Sequence, residues 1–152
     1  MTPNNVLEHK IIGIDTNIFI YVIEHKKYPV QADRAGEILQ LIEIGELMGI
    51  TSVVNIMELL VLPEKEGKKD LLNKYMLLLK GFPNLKISDI NQETAELAAK
   101  LRGKYLRENK KLLPIDALCL ATSILNNATA FVSNDLQLSF IRELEMINLE
   151  KN

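Results

Sequence analysis

Short apolar runs alternate along this chain with longer stretches whose apolar positions recur at helical spacing. "KIIGID" has the pattern of a buried strand, rich in Ile and ending at Asp15. Thr16 or Asn17 is placed to cap a helix that follows directly. "QADRAGEILQLIEIG" sets Ala35, Ile38, Leu39 and Ile42 on one face and closes on Gly45, which predicts an amphipathic helix. "LMGIT" is a second short strand. Ser52 then caps "VVNIMELLVL", and Pro63 is expected to stop that helix. "KKDLLNKYMLLLKG" predicts a helix closed by Gly81, "LKIS" a weak strand, and "NQETAELAAKLRGKYLRENK" a helix with a charged outer face. "LLPIDALCLATSILNN" opens with Pro114 in its first turn and ends in Asn126 and Asn127. "ATAFV" is a strand, followed by "SND", a short helix to about Leu144 and a last edge strand in "MINLE". This alternation predicts an α/β domain around a mostly parallel sheet. Ligands of such sheets bind outside the carboxyl ends of the strands.

Charge breaks the apolar pattern at a few isolated places. Asp15 is the only charged residue between Lys10 and Glu24. Glu58 stands alone between Glu46 and Glu64, Asp116 between Lys111 and Asp135, and after Asp135 the next charge is Arg142. Most other charges gather in polar stretches such as "EKEGKKD" and "KLRGKYLRENKK". Asp15 and Asp135 each follow a predicted strand, so both fall at the carboxyl edge of the sheet. Asp116 opens a helix. Glu58 lies in the second turn of a helix apolar nearly all round, with Val54, Val61 and Leu62 on its side, which offers it little solvent. Taken singly, Asp116 could complement a helix dipole and Asp135 could serve a turn. Together, with no lone Arg or Lys nearby, converging carboxylates must take up protons or a cation. All-oxygen ligation suits a hard divalent ion such as Mg²⁺ or Mn²⁺.

Composition narrows the class. The chain has 152 residues, enough for one domain spanning 1–152, and 47% are apolar, which is enough for an ordinary core. The single cysteine, Cys119, excludes an intrachain disulfide and a cysteine-built zinc site. "MTPNNVLEHK" lacks the pattern of a signal peptide, and no apolar run has the ~20 residues that span a bilayer. The expectation is a cytoplasmic protein without membrane contact. A net charge of −2 does not announce nucleic-acid binding, so any such binding needs a local basic patch.

In order and spacing these residues resemble a PIN-domain protein, of the metal-dependent nuclease family that includes the VapC-type toxins. The resemblance runs from about Ile11 to Leu149. "IIGIDTN" supplies an apolar strand followed by Asp15, Thr16 and Asn17. "ITSVVNIMELL" supplies Glu58 in an apolar helix after a short strand. "PIDALCLATS" supplies Asp116 at the start of a helix rich in small residues. "AFVSND" supplies Ser133 and Asp135 after an apolar strand. The family often places an aromatic directly after this last Asp, whereas here the sequence reads "NDLQLSF", with Phe140 further on.

The resemblance implies a three-layer α/β/α sandwich and hydrolysis of RNA phosphodiester bonds with Mg²⁺ or Mn²⁺. Asp15, Glu58, Asp116 and Asp135 would be both the catalytic and the metal-holding residues. Thr16, Asn17 and Ser133 would support them, Thr16 and Ser133 as hydrogen-bond donors that fix the carboxylates. His9 and His25 fall outside the motifs and are expected on the surface. RNA would need cations near the acids, and Arg102, Lys104, Arg107, Lys110 and Lys111 lead directly into Pro114 and Asp116. Tyr105 would either stack on a base or pack in the core. The resemblance also implies a homodimer and, for a toxin, an antitoxin partner, with Leu77 to Leu79 as apolar candidates for contact.

Other classes fit less well. A haloacid-dehalogenase-like phosphatase needs Asp-x-Asp after its first strand, and position 17 is Asn17. A receiver domain needs paired early acids and a late Lys. No Gly-rich phosphate loop occurs. A free-standing RNA-processing nuclease and a catalytically silent PIN interaction module are the alternatives within the fold.

Overall fold

The computed structural model describes residues 5–150. The first residues of the stretch compared with a signal peptide, and both ends of the expected 1–152 domain, lie outside that span. Five strands form one sheet: β1 (Ile11–Ile14), β2 (Met48–Ser52), β3 (Leu85–Ser88), β4 (Ala130–Val132) and β5 (Glu145–Ile147). Their order is β3-β2-β1-β4-β5, and every neighbouring pair is parallel. The sheet is therefore wholly rather than mostly parallel. The chain builds outward from β1 in one direction through β2 and β3, then returns to the other side for β4 and β5. The gap between the ends of β1 and β4 is the topological switch point, where α/β folds place their ligands.

Among the described residues, six α-helices cover the sheet. They are α1 (Thr16–Ile23), α2 (Pro29–Glu43), α3 (Val53–Glu66), α4 (Lys69–Gly81), α5 (Gln92–Arg107) and α6 (Pro114–Leu125). Alternation along the central strands separates two cores. Ile12, Ile14, Ala130 and Val132 pack with Phe19, Ile38, Leu59 and Leu79 from the first four helices. Phe131 packs on the opposite face with Leu101, Tyr105 and Leu120 from α5 and α6. The result is the expected three-layer α/β/α sandwich. At Gly13 the sheet and α6 meet closely, because a Cβ there would stand 2.2 Å from Ser123 Oγ. Only a residue without a side chain fits that crossing.

The predicted amphipathic face of α2 is buried at Ala35, Ile38, Leu39 and Ile42, and the helix starts earlier than its pattern, at Pro29. Ser52 caps α3 by accepting the Val54 N–H at 3.3 Å. Pro63 does not stop that helix. It sits buried in the penultimate turn, where one missing N–H is tolerated, and α3 ends at Gly67, whose φ of 65° supplies the left-handed cap. The helix expected up to Leu144 is only a 3₁₀ turn at Leu136–Leu138, since Asp135 caps it locally and the chain then turns toward β5. Of Leu77 to Leu79, Leu79 packs in the core and Leu77 is exposed. Among the described residues no helix is long and apolar enough to cross a membrane.

Candidate active site

The first acid is placed by the end of β1. Asp15 N–H reaches across to the Val132 carbonyl at 3.0 Å, which pins the residue at the switch point. Thr16 and Asn17 were expected to cap the next helix, but Asp15 itself is the N-cap, its Oδ1 accepting the Thr16 N–H at 2.8 Å. An extended backbone at the strand end turns its carboxylate back onto the first free amide of α1. Its second oxygen, Oδ2, accepts the Ser133 hydroxyl at 2.6 Å.

Ser133 follows β4 and works in two directions. While donating to Asp15 it accepts the Asp135 backbone N–H at 3.0 Å. Asp135 then accepts the Gln137 N–H at 2.9 Å, the turn role its sequence position allowed. On the other side, the Thr16 hydroxyl donates to Glu58 Oε1 at 2.9 Å and joins α1 to α3. Thr16 and Ser133 thus each donate a hydroxyl to one of the carboxylates. Asn17 accepts the Asn134 N–H at 3.4 Å and ties α1 to the loop after β4.

Glu58 is half-buried, but not for the reason its sequence suggested. Met57, Val61 and Leu62 are exposed, so α3, apolar nearly all round, is not buried on every side. Thr16 holds Glu58 in place. Asp116 occupies the third residue of α6 behind Pro114, as expected.

Burial raises the Asp15 carboxyl above the ordinary carboxylate range. Hydrogen bonds from Ser133 and Thr16 oppose that rise, and the charges of Glu58 and Asp135 add to it. Asp116 is pushed up to about 6, first by burial and then by Asp15, Asp135 and Glu58. A helix N-terminus alone would lower an aspartate, so the dipole reading of Asp116 does not account for this. Among the described residues no Lys, Arg or His forms an ion pair with any of the four acids. Nor do any three Asp, Glu, His or Cys side chains come close enough there to form a metal cage. Coulomb coupling reaches further than ligand bonds, so both observations hold: the carboxylates feel one another's charge without enclosing a point. This all-oxygen, uncompensated donor set fits a hard cation that keeps part of its water shell better than one fully enclosed by protein.

Beneath the acids lies a layer of residues to which the motifs assigned no role. Asn55, 1% exposed, donates to Thr51 Oγ1 at 2.6 Å and to the Ile14 carbonyl at 3.3 Å, and accepts from Cys119 Sγ at 2.9 Å. Burial drives the Cys119 thiol far up, so it stays protonated and able to donate. Asn55 was findable by the criterion that found Glu58, an isolated polar residue in an apolar helix one turn away. Thr51 and Cys119 left no such signal.

The basic stretch is largely committed to the protein itself. Lys104 pairs with Glu143 at 2.6 Å, Lys110 lies 3.9 Å from Glu108, and Arg102 Nε donates to the Leu112 carbonyl at 2.8 Å. Arg107 and Lys111 are exposed and make no such bond among the described residues. Tyr105 is fully buried, donates to Glu143 Oε2 at 2.6 Å and meets Phe140 edge-on, so it packs rather than stacks on a base. His25 is exposed as expected, whereas the His9 side chain is only 9% exposed. Its ring spans Thr129 Oγ1 at 2.7 Å and Glu145 Oε2 at 2.9 Å, clamping the segment before β1 onto β5.

A family model described as PIN domain matches residues 12–144. No curated protein matches the chain. Among solved structures, VapBC2 from Rickettsia felis bound to a DNA fragment from its promoter is 24% identical, with a TM-score of 0.74 over 91% of this chain and 98% of that one. FitAcB from Neisseria gonorrhoeae is 18% identical, with a TM-score of 0.68 over 91% of this chain and 97% of that one. DNA-bound VapBC from Salmonella typhimurium is 19% identical, with a TM-score of 0.67 over 92% and 98%. These likenesses share the fold, while the family model matches through the strands and helices that carry Asp15, Glu58, Asp116 and Asp135. The chain belongs to the PIN domain family.

Proposed function

We propose that the protein is a divalent-cation-dependent endoribonuclease that hydrolyses RNA phosphodiester bonds. The observation that carries this reading is that Asp15 and Asp116 are held above the ordinary carboxylate range, first by burial and then by the charges of neighbouring acids that include Glu58 and Asp135, while among the described residues no cation pairs with any of the four. Mg²⁺ or Mn²⁺, held by Asp15, Glu58, Asp116 and Asp135, would supply charge neutralisation for the phosphate and activation of water. The chain's own contribution is placement. Ser133 and Thr16 keep Asp15 and Glu58 aimed by hydrogen bonds, and burial of Asp15 keeps its carboxylate poorly hydrated and in need of a positive partner. The reaction requires no nucleophilic side chain. Exposed Arg107 and Lys111 are the cations best free to meet an RNA backbone.

The parent system is best read as a type II toxin–antitoxin pair. Similar folds come from complexes named as toxin–antitoxin assemblies, among them one from Klebsiella pneumoniae. A cognate antitoxin, and a second copy of this chain, are accordingly proposed partners in the cytoplasm. One observation favours a second reading, a PIN fold kept for interaction alone: no three of the acids form a cage. Cleavage decides between them. Purified protein incubated with structured RNAs should cut in Mg²⁺ or Mn²⁺, stop in EDTA, and lose activity in Asp15→Asn. Folded protein that binds metal and leaves every RNA intact would select the interaction module.

A further inference from the structure

We infer that Asn55 is a positioning residue for the metal-dependent reaction, one that locks the elements carrying Asp15, Glu58 and Asp116 into a common register. The inference rests on the nuclease reading above and extends it to a residue that touches none of the reacting groups.

Asn55 lies in α3 one turn before Glu58. Its two amide hydrogens go to different strands: one to Thr51 Oγ1 in β2, the other to the carbonyl of Ile14, the residue before Asp15. Its oxygen accepts the thiol of Cys119, one turn after Asp116 in α6. The Ile14 carbonyl lies past the last β1–β2 register pair, Gly13 with Ile50, where the strands begin to separate. Side chains therefore hold it, since the Thr51 hydroxyl also donates to it at 3.3 Å. The peptide joining Ile14 to Asp15 is thus gripped on both sides, its N–H by Val132 and its C=O by Asn55 and Thr51.

The amide orientation is fixed by its partners. Ile14 offers only an acceptor, so the nitrogen must face it. Cys119 is held as a thiol and can donate to the oxygen left over. A buried amide with both hydrogens placed has one low-energy pose, and that pose sets the spacing of β1, β2, α3 and α6. Supporting groups of this kind typically change metal affinity or activity about 10–100-fold when removed.

The test compares wild type, Asn55→Ala and Thr51→Val by Mn²⁺ titration of the metal-free protein and by steady-state RNA cleavage, well below each melting temperature. Asn55→Ala should weaken Mn²⁺ binding and lower kcat by about tenfold or more, with KM for RNA nearly unchanged. Should Asn55→Ala fold poorly, Thr51→Val keeps the shape, removes only the hydroxyl, and should show a smaller loss of the same kind. Asn55→Thr, which retains a donor for Ile14, should recover part of the affinity. A variant that melts earlier yet binds Mn²⁺ and cuts with wild-type constants overturns the inference and leaves Asn55 a structural residue. If wild type itself neither binds Mn²⁺ nor cuts, the nuclease reading fails and takes this inference with it.

Discussion

The Ser133 hydroxyl donates to Asp15 Oδ2 at 2.6 Å while accepting the Asp135 N–H at 3.0 Å. One oxygen therefore couples the acid after β1 to the acid after β4 across the switch point. Ser133→Ala should leave a buried carboxylate oxygen without its donor. The expected cost is about 1–3 kcal/mol of stability, together with a loss of cleavage of about 10–100-fold. Ser133→Thr keeps the hydroxyl and should retain most of both. Chemical denaturation and single-turnover cleavage of the two variants check this.

Thr16 holds Glu58 in the same way, at 2.9 Å, but at a less buried site. Thr16→Val should lower cleavage about as much as Ser133→Ala while costing less stability, near 1 kcal/mol. If activity and stability fall in proportion for both variants, the hydroxyls serve folding alone.

The raised acids give the metal-free protein a pH dependence of definite sign. Asp116 titrates at about 6 when folded, against ~3.9 for an unfolded aspartate. The folded state binds the proton more tightly between those values, so the contribution of Asp116 to stability falls as pH rises from about 4 to 6 and is level above. Asp15 shifts in the same direction. Glu108 and Glu143, lowered by Arg142 and Lys104 among their causes, act oppositely. The readout is therefore the difference between wild type and Asp116→Asn. The variant should gain on wild type as pH rises from about 4 to 6 without metal, and saturating Mg²⁺ should reverse the ranking. Equal pH profiles for the two proteins would contradict the shift.

The central crossing of sheet and helix gives a prediction about folding. A Cβ on Gly13 would stand 2.2 Å from Ser123 Oγ and 2.6 Å from the Phe131 ring. Gly13→Ala should cost about 1–3 kcal/mol and lower the melting temperature by several degrees. Adding Ser123→Ala should return part of the loss.

Much of this architecture is legible in the sequence for identifiable reasons. Parallel strands buried on both faces read as near-continuous apolar runs, so "KIIGID" and "ATAFV" announce themselves. Asp15, Glu58, Asp116 and Asp135 stand out because a lone charge in such runs demands a partner. Tertiary contacts hid the remainder. Pro63 reads as a stop, but its ring is buried and the helix runs on past it to the left-handed cap at Gly67. His9 reads as surface, because its clamp joins Thr129 and Glu145, far along the chain. The basic run reads as a patch until the fold brings Glu143 onto Lys104 and Tyr105. Asn55 had a local signal, but its three partners lie on three different elements.

The free and the committed cations should separate in RNA binding. Arg107→Ala and Lys111→Ala should raise KM and flatten the salt dependence of binding. Lys104→Ala, which breaks a pair with Glu143, should act mainly on stability and by no more than about 1 kcal/mol. Filter binding of RNA across a salt series distinguishes these outcomes.

Every role proposed for this site depends on these acids holding a divalent cation. Calorimetric titration of Mn²⁺ into the metal-free protein at pH 7.5, beside Asp15→Asn and Asp116→Asn, tests it. Wild type should bind Mn²⁺ saturably, and each folded variant should bind it at least tenfold more weakly. Wild-type protein that takes up no Mn²⁺, or variants that bind it equally well, would contradict it.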